Sequence, residues 1–100
     1  MRHYKLVRDR IPEIIRAGGG APITHVASNE EYGLRLDEKL LEEIEEFFGS
    51  REPEELADIL EVVFALAAHA GISREELERL RAKKAEERGA FTQRIILEEA

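Results

Sequence analysis

The side chains of this chain that are best suited to chemistry are carboxylates placed three and four positions apart. Glu42, Glu43 and Glu46 have this spacing within the segment KLLEEIEEF. Residues at these intervals are neighbours on a helical surface, so the three carboxylates share one sector of a predicted helix. Glu43 falls at the edge of the apolar stripe of that helix, which brings it closest to the predicted core.

A second acidic group follows a short Gly-Ser connection, within the segment EELADILE. Asp58 shares a helix sector with Glu54 and Glu61, whereas Glu55 turns toward the apolar side. Asp58 lies more than one turn inside the predicted helix, where aspartate is a poor helix former. Glu55 is equally compatible with a structural role, since an acid in the first turn of a helix favours the helix dipole.

The two acidic groups face each other if the short connection at 49–52 makes their helices antiparallel neighbours. Like-charge pairs at this spacing destabilise an exposed helix by about 0.2–0.5 kcal/mol each, and desolvation raises that cost. A hard divalent cation would offset the repulsion, and ligation by oxygen alone favours Mg²⁺ or Mn²⁺. The alternative interpretation is a solvated acidic face that holds no metal.

Basic side chains form the other half of the predicted site. Lys84 and Arg88 extend an inward stripe of the last helix, and Lys5 and Arg8 lie in the N-terminal segment. Together with a carboxylate–metal centre, these cations suit a polyphosphate substrate. Taken singly, each of them is better explained by a salt bridge to the acidic helices.

The segments that must position these side chains are mainly helical. Prolines in first turns, capping boxes and terminal glycines predict where the helices begin and end. The predicted helices cover IPEIIRA before Gly18–Gly20, Ser28 to about Phe48, Pro53 to His69 or Ala70, and Ser73 to Gly89. Short edge strands are predicted at 22–27 and 94–97, while 4–8 is a short strand or an extended arm.

The apolar periodicity predicts which faces of the two acidic helices are buried. The face predicted for the first comprises Leu34, Leu40, Leu41, Ile44, Phe47 and Phe48, and that for the second Leu56, Ile59, Leu60, Val63, Leu66 and Ala67. From Val62 onward the second helix is apolar nearly all round, and a second chain is the best cover for its alanine side. The predicted fold is mainly α, an antiparallel bundle of three long helices with a short N-terminal helix and small edge strands, completed by dimerisation.

Composition narrows the class of protein further. The chain has 100 residues and no cysteine, which excludes disulfides and thiol chemistry. A net charge of −7 disfavours a nucleic-acid polymer or an anionic membrane as partner. An apolar run of the length of a membrane span and the apolar core of a signal peptide are both missing. These features predict a soluble cytoplasmic protein with a single domain over residues 1–100.

The two acidic segments resemble the metal-binding signature of the all-α nucleoside triphosphate pyrophosphatase superfamily, the MazG and phosphoribosyl-ATP pyrophosphatase relatives. Glu42, Glu43 and Glu46 match its EExxE motif, and Glu55 and Asp58 match its ExxD motif. The opening KLVRDRIPEII and the closing KKAEERGAFTQRIIL resemble the small phosphoribosyl-ATP pyrophosphohydrolase-like branch, whose members are predicted house-cleaning enzymes. These separated blocks extend the resemblance over nearly the whole chain. The spacer between the two motifs is short, and Glu61 is an added acid, a further ligand or a subgroup feature.

The resemblance implies Mg²⁺-dependent hydrolysis of a noncanonical nucleoside triphosphate between its α- and β-phosphates, giving a monophosphate and pyrophosphate. It also implies a homodimer or a larger assembly of the same chain. The implied catalytic residues are Glu42, Glu43, Glu46 and Asp58, with Glu55 as an additional metal ligand and Lys5, Arg8, Lys84 and Arg88 as phosphate contacts. The alternative function is a non-catalytic helical dimer that serves as a binding or regulatory module.

Overall fold

The computed structural model of the protein describes residues 4–100, which form four helices. They are α1 (Ile11–Ala17), α2 (Asn29–Ser50), α3 (Pro53–His69) and α4 (Arg74–Arg88). No β-strand occurs in this part of the chain. The prediction of a mainly α fold is therefore confirmed, and the bounds of all four helices lie close to those predicted from their caps.

The edge strands predicted at 22–27 and 94–97 are wrong. Both segments lack regular structure, and Ile23 and Val26 are 90% and 99% exposed. Ile95 and Ile96 are also largely exposed. β-Branched residues favour a strand only where a neighbouring strand pairs with it and a face is buried. Residues 4–8 likewise form no strand, and the extended arm is the alternative that the structure supports.

The chain divides into two compact units, of which the first ends at Leu66 and the second begins at Ala67. The first unit contains α1, α2 and most of α3. The second contains the end of α3, α4 and the C-terminal segment. The single domain predicted from the sequence stays a prediction, and the two units are described separately below.

Helix α2 begins as predicted but ends later. The Ser28 hydroxyl accepts a hydrogen bond from the Glu31 amide at 3.2 Å, which caps the helix. The predicted stop at Gly49 is wrong, because the helix continues through Gly49 to Ser50 and Arg51 adopts the left-handed conformation, with φ of 60°. The Arg51 amide donates to the Phe47 carbonyl, and its guanidinium lies 5.1 Å from the centroid of the Phe47 ring. These contacts offset the strain of a non-glycine residue in this conformation.

The caps of α3 and α4 follow the sequence signals. Pro53 is the first residue of α3, where its missing amide hydrogen costs nothing. Gly71, with φ of 81°, turns the chain after α3. Ser73 then caps α4 by accepting from the Glu76 amide at 3.1 Å, while its own hydroxyl lies 3.3 Å from the Glu76 carboxylate.

The buried face of α2 is rotated from the predicted face. Leu36 is only 1% exposed, although the periodicity left it outside the core. Leu34 and Leu41, both predicted to point inward, are 56% and 63% exposed. The inward stripe of α2 instead comprises Leu36, Leu40, Glu43 and Phe47. A glutamate therefore occupies a core position.

None of these helices is by itself long and apolar enough to cross a membrane; α3 and α4 pass such a test only when taken together, by length and composition.

Candidate metal centre

A connection of only two residues, 51–52, joins α2 to α3 and reverses the chain. Leu36 and Val62 line one cavity, while Glu43 lies beside Asp58 nearer the connection. Residues far from the connection on α2 therefore lie near residues far from it on α3, so the two helices are antiparallel neighbours. Glu43, Glu55 and Asp58 each offer a carboxylate oxygen, and these three oxygens lie within 4.8 Å of one another.

Glu43 is the most constrained of the three acids. It is 6% exposed, and one of its oxygens, Oε1, lies 3.3 Å from the Lys39 ammonium. The other, Oε2, is buried without a hydrogen-bond partner among the described residues. Burial raises the pKa of the Glu43 carboxyl, the hydrogen bond from Lys39 opposes that change, and repulsion from Glu46 adds to it. A buried carboxylate oxygen without a partner is costly unless a cation approaches it.

Asp58 and Glu55 lie one turn apart on α3 and are both half-buried. Asp58 Oδ1 accepts a hydrogen bond of 2.7 Å from Arg8 Nη2, so an arginine of the N-terminal arm already contacts this carboxylate. This contact is consistent with the salt bridge expected of Arg8 when it is considered singly. The cluster of Glu43, Glu55 and Asp58 is called the acidic triad below.

The other two predicted ligands have different surroundings. Glu42 lies 2.9 Å from the Lys5 ammonium and 3.4 Å from that of Lys39. The hydrogen bond from Lys5 holds the pKa of Glu42 below its ordinary value, and the same contact raises the pKa of Lys5. Glu46 is exposed and acts on Glu43 through its charge. The structure does not place Glu42 or Glu46 in the acidic triad, and their role as ligands stays a prediction.

A cavity of about 460 Å³ lies in the first unit between the N-terminal arm and helices α2 and α3, and the triad acids Glu43 and Asp58 are part of its wall. Its volume is within the range of small-molecule sites. Its apolar wall includes Leu6, Val7, Tyr32, Leu36, Val62 and Ala65, and its charged wall includes Arg8, Lys39, Glu43, Asp58 and Glu61. One ligand could therefore place a charged group against the charged wall and an apolar group against the apolar wall of the same cavity.

Sequence reasoning missed two residues of this site and left a third open. Lys39 was not singled out, although it precedes Glu42 and Glu43 by three and four positions, the spacing at which a helical lysine reaches a glutamate. Tyr32 lies in the same face of α2, eleven residues before Glu43, and lines the cavity. Glu61, the acid whose role stayed open, lines it as well.

Lys84 and Arg88, the remaining predicted phosphate contacts, belong to the second unit. Both are exposed on α4 and lie four positions apart, on the same side of the helix. Their role in substrate binding stays a prediction.

The acidic triad fits a hard divalent cation. Its donors are carboxylate oxygens alone, which suit Mg²⁺ or Mn²⁺ rather than Zn²⁺. Independent of the clustering, the orphaned Oε2 of Glu43 marks a point in the protein where a positive charge would replace a missing hydrogen bond. The arrangement can therefore hold a cation beside a cavity whose wall also carries Arg8 and Lys39.

Comparison with known proteins assigns no family. No family model and no solved structure matches the chain. An uncharacterized protein of Mycolicibacterium smegmatis (strain ATCC 700084 / mc(2)155) is 55% identical over 42 residues. The match covers 42% of this chain and 43% of that protein, so the chain is matched over less than half the length of this relative.

Proposed function

We propose that the protein is a Mg²⁺-dependent pyrophosphohydrolase that cleaves a nucleoside triphosphate between the α- and β-phosphates. The products are the nucleoside monophosphate and pyrophosphate. The observation that carries the proposal is the acidic triad, whose buried Glu43 oxygen Oε2 lacks a hydrogen-bond partner among the described residues. Two of its acids, Glu43 and Asp58, border a cavity that also presents cations. The resemblance of both acidic motifs to those of the all-α nucleoside triphosphate pyrophosphatases supports the same reaction.

In this proposal Glu43, Glu55 and Asp58 hold the cation, and Glu42 and Glu46 complete the acidic surroundings. A bound Mg²⁺ ion, or Mn²⁺ in its place, supplies neutralisation of phosphate charge and activation of water. A carboxylate oxygen of these glutamates that is not engaged in ligation accepts the proton of the attacking water.

The basic side chains bind the phosphates. Lys5, Arg8 and Lys39 present cations beside the acids, and charge-assisted hydrogen bonds from them orient a polyphosphate and stabilise charge in the transition state. The resemblance also implies phosphate contacts from Lys84 and Arg88 of α4. The apolar wall of the cavity accommodates the sugar and base of a noncanonical nucleotide, consistent with a house-cleaning role in the cytoplasm.

The proposed active form is a homodimer in which a bundle of three long helices is completed by a second chain. Leu34, Leu41 and Phe48 recur every seven residues along α2 and are each more than half exposed. A stripe at this spacing is typical of a helix that packs against another helix. The second copy of the chain is the proposed cover for this stripe.

Pyrophosphate release from a panel of canonical and modified nucleoside triphosphates tests the reaction. We expect release from at least one nucleotide in the presence of Mg²⁺ and loss of at least about 100-fold of the rate in Glu43→Gln, because the buried ligand is then neutral. Glu45→Gln removes the same charge from an exposed position on α2 and is the matched control. Activity in Glu43→Gln equal to that of the wild type would overturn the proposal, as would a panel without any substrate.

The second candidate function is a non-catalytic helical dimer that acts as a binding or regulatory module. It is favoured by the exposed α2 stripe and by the salt bridges that already neutralise Glu42 and Asp58. This candidate predicts that Mg²⁺ leaves the melting temperature unchanged. It also predicts that Asp58→Ala does not change the binding of divalent cations. A rise in melting temperature with Mg²⁺ that Glu43→Gln abolishes would contradict it.

A further inference from the structure

The N-terminal arm places two cations on the acids of the candidate metal centre. The Lys5 ammonium lies 2.9 Å from Glu42, and the Arg8 guanidinium lies 2.7 Å from Asp58. The arm is non-helical from residue 4 to residue 8 and joins α1 through a turn in which the Ile11 amide donates to the Arg8 carbonyl. One short segment therefore contacts an acid on α2 and an acid on α3.

The contact of Arg8 with Asp58 competes with a metal ion for the charge of a triad acid. Asp58 belongs to the acidic triad and at the same time accepts a hydrogen bond from Arg8. A divalent cation on Asp58 would lie beside the guanidinium, and two positive charges that share one carboxylate repel each other. Loading of the triad therefore weakens the contact of Arg8 with Asp58 and favours release of the guanidinium.

We propose that the N-terminal arm is an exchangeable internal counter-ion: Arg8 and Lys5 neutralise Asp58 and Glu42 in the metal-free protein, and binding of a divalent cation transfers them to the phosphates of the substrate. This inference rests on the proposed function and adds to it that binding of the metal and of the polyphosphate are coupled through the arm. The exchange also explains how Asp58 and Glu42 are neutralised before the metal binds.

The exposure and position of the arm favour such an exchange. The side chains of Arg8 and Lys5 are 57% and 55% exposed, and ion pairs of this exposure are weak. Leu6, between them, is half-buried and together with Arg8 lines the cavity. A guanidinium that leaves Asp58 therefore stays at the cavity wall, where a polyphosphate that approaches the triad can accept its hydrogen bonds.

Calorimetric titration of the full chain with Mn²⁺ alone, followed by inorganic tripolyphosphate with Mn²⁺ in excess, tests the exchange. We expect Arg8→Gln to bind Mn²⁺ about two- to five-fold more tightly than the wild type, because the competing ion pair is gone. The same variant should bind tripolyphosphate about ten-fold more weakly, because a charge-assisted contact is lost. Lys5→Gln should change both affinities in the same directions.

Arg16→Gln is the matched control, since Arg16 is an exposed arginine of α1 outside the cavity and its loss changes the net charge equally. Mn²⁺ affinity that rises equally in Arg16→Gln and Arg8→Gln would overturn the exchange, because net charge alone would explain it. So would Mn²⁺ and tripolyphosphate affinities that fall together in Arg8→Gln, the pattern of a structural role.

Failure of the proposed function gives a different pattern. If Arg8→Gln shows the opposed changes in affinity but the wild type releases pyrophosphate from no nucleotide, the exchange is supported and the proposed reaction is wrong. Pyrophosphate release from a nucleotide, with unchanged Mn²⁺ affinity in Arg8→Gln, would retain the reaction and overturn the exchange. A wild-type protein that binds no Mn²⁺ would overturn both.

Discussion

Glu43 lies seven residues after Leu36 on the inward face of α2, in a position that an apolar residue would ordinarily occupy. Its near-complete burial is costly for a charged group, and the contact with Lys39 through Oε1 leaves Oε2 without a hydrogen-bond partner among the described residues. Two more acids, Glu55 and Asp58, face it from α3. Such a residue weakens the metal-free fold, and its presence is explained if its charge is used in binding a cation.

Glu43→Gln should stabilise the metal-free protein at about pH 7 by about 1 kcal/mol, which is a rise of a few degrees in melting temperature. The reason is that burial raises the pKa of Glu43, so the folded state favours the protonated carboxyl. The folded state therefore loses stability as the pH rises through that pKa. The relevant charges are Lys39 and Glu46 on α2 and Glu55 and Asp58 on α3. Thermal unfolding in the presence of a chelator measures the effect.

The pH dependence of that gain provides the control. Below the ordinary glutamate pKa of 4.5, Glu43 is protonated in both the folded and the unfolded state, so the advantage of glutamine should vanish. Glu45→Gln should leave the melting temperature nearly unchanged throughout, because Glu45 is exposed. A Glu43→Gln variant that melts below the wild type at neutral pH would show that Lys39 stabilises the Glu43 charge more than burial destabilises it.

At the scale of the helices, the structure shows two separate stripes on α2, an inward one that contains Leu36 and an exposed one that contains Leu34 and Leu41. The face predicted from periodicity contained residues of both stripes. Leu36 is buried and lines the cavity, while Leu34 and Leu41 are mostly exposed. The difference is a rotation about the helix axis, which apolar spacing alone cannot settle when leucines occur on both sides. The same rotation moves Glu43 from the edge of the stripe into its middle.

Leu36→Ala should cost about 2–5 kcal/mol of unfolding free energy, since it opens a cavity at a fully buried position. Leu34→Ala should cost less than about 1 kcal/mol, because Leu34 is mostly exposed. Urea denaturation of both variants in a Leu41→Glu background, which removes the proposed dimer contact, makes the comparison. Equal losses would show that Leu34 contributes as much to the core as Leu36, against the exposures of the two side chains.

At the scale of the whole molecule, this chain leaves many large apolar side chains exposed. They include the α2 stripe, Leu56 and Leu60 of α3, and Phe91, Ile95 and Ile96 of the C-terminal segment. A chain of 100 residues has a small core, and association with a second copy is a common way to enlarge it. The proposed homodimer would bury part of this surface.

Sedimentation equilibrium should give twice the chain mass of 11.4 kDa for the wild type. Leu41→Glu should shift the equilibrium to the monomer, because a charge in the middle of the proposed interface would be desolvated without a partner. Asn29→Glu adds the same charge at an exposed position at the start of α2 and should leave the dimer intact. A monomeric wild type would refute the dimer, and a dimeric Leu41→Glu variant would place the interface elsewhere.

Local signals in the sequence were sufficient to predict the helices. Ser28, Pro53 and Ser73 begin helices because their capping interactions and backbone preferences involve only neighbours along the chain. The acidic sectors were predictable for the same reason, since residues three and four apart are always neighbours on a helix. The C-terminal end of α2 was less predictable. Gly49 is helical because contacts of Arg51 with the Phe47 ring and carbonyl end the helix only at Ser50.

The sequence by itself thus determined that the chain is mainly α and that its acids cluster at helical spacing. Only the tertiary structure decided that Glu43, and not Glu42 or Glu46, meets Glu55 and Asp58, and that Arg8 reaches Asp58 from fifty residues away. The segments at 22–27 and 94–97 remained without a strand, because strand formation depends on a partner that the sequence of one segment does not contain. Spacing along a helix is a local property, whereas the choice of which face is buried and which charges meet depends on packing between elements distant in sequence.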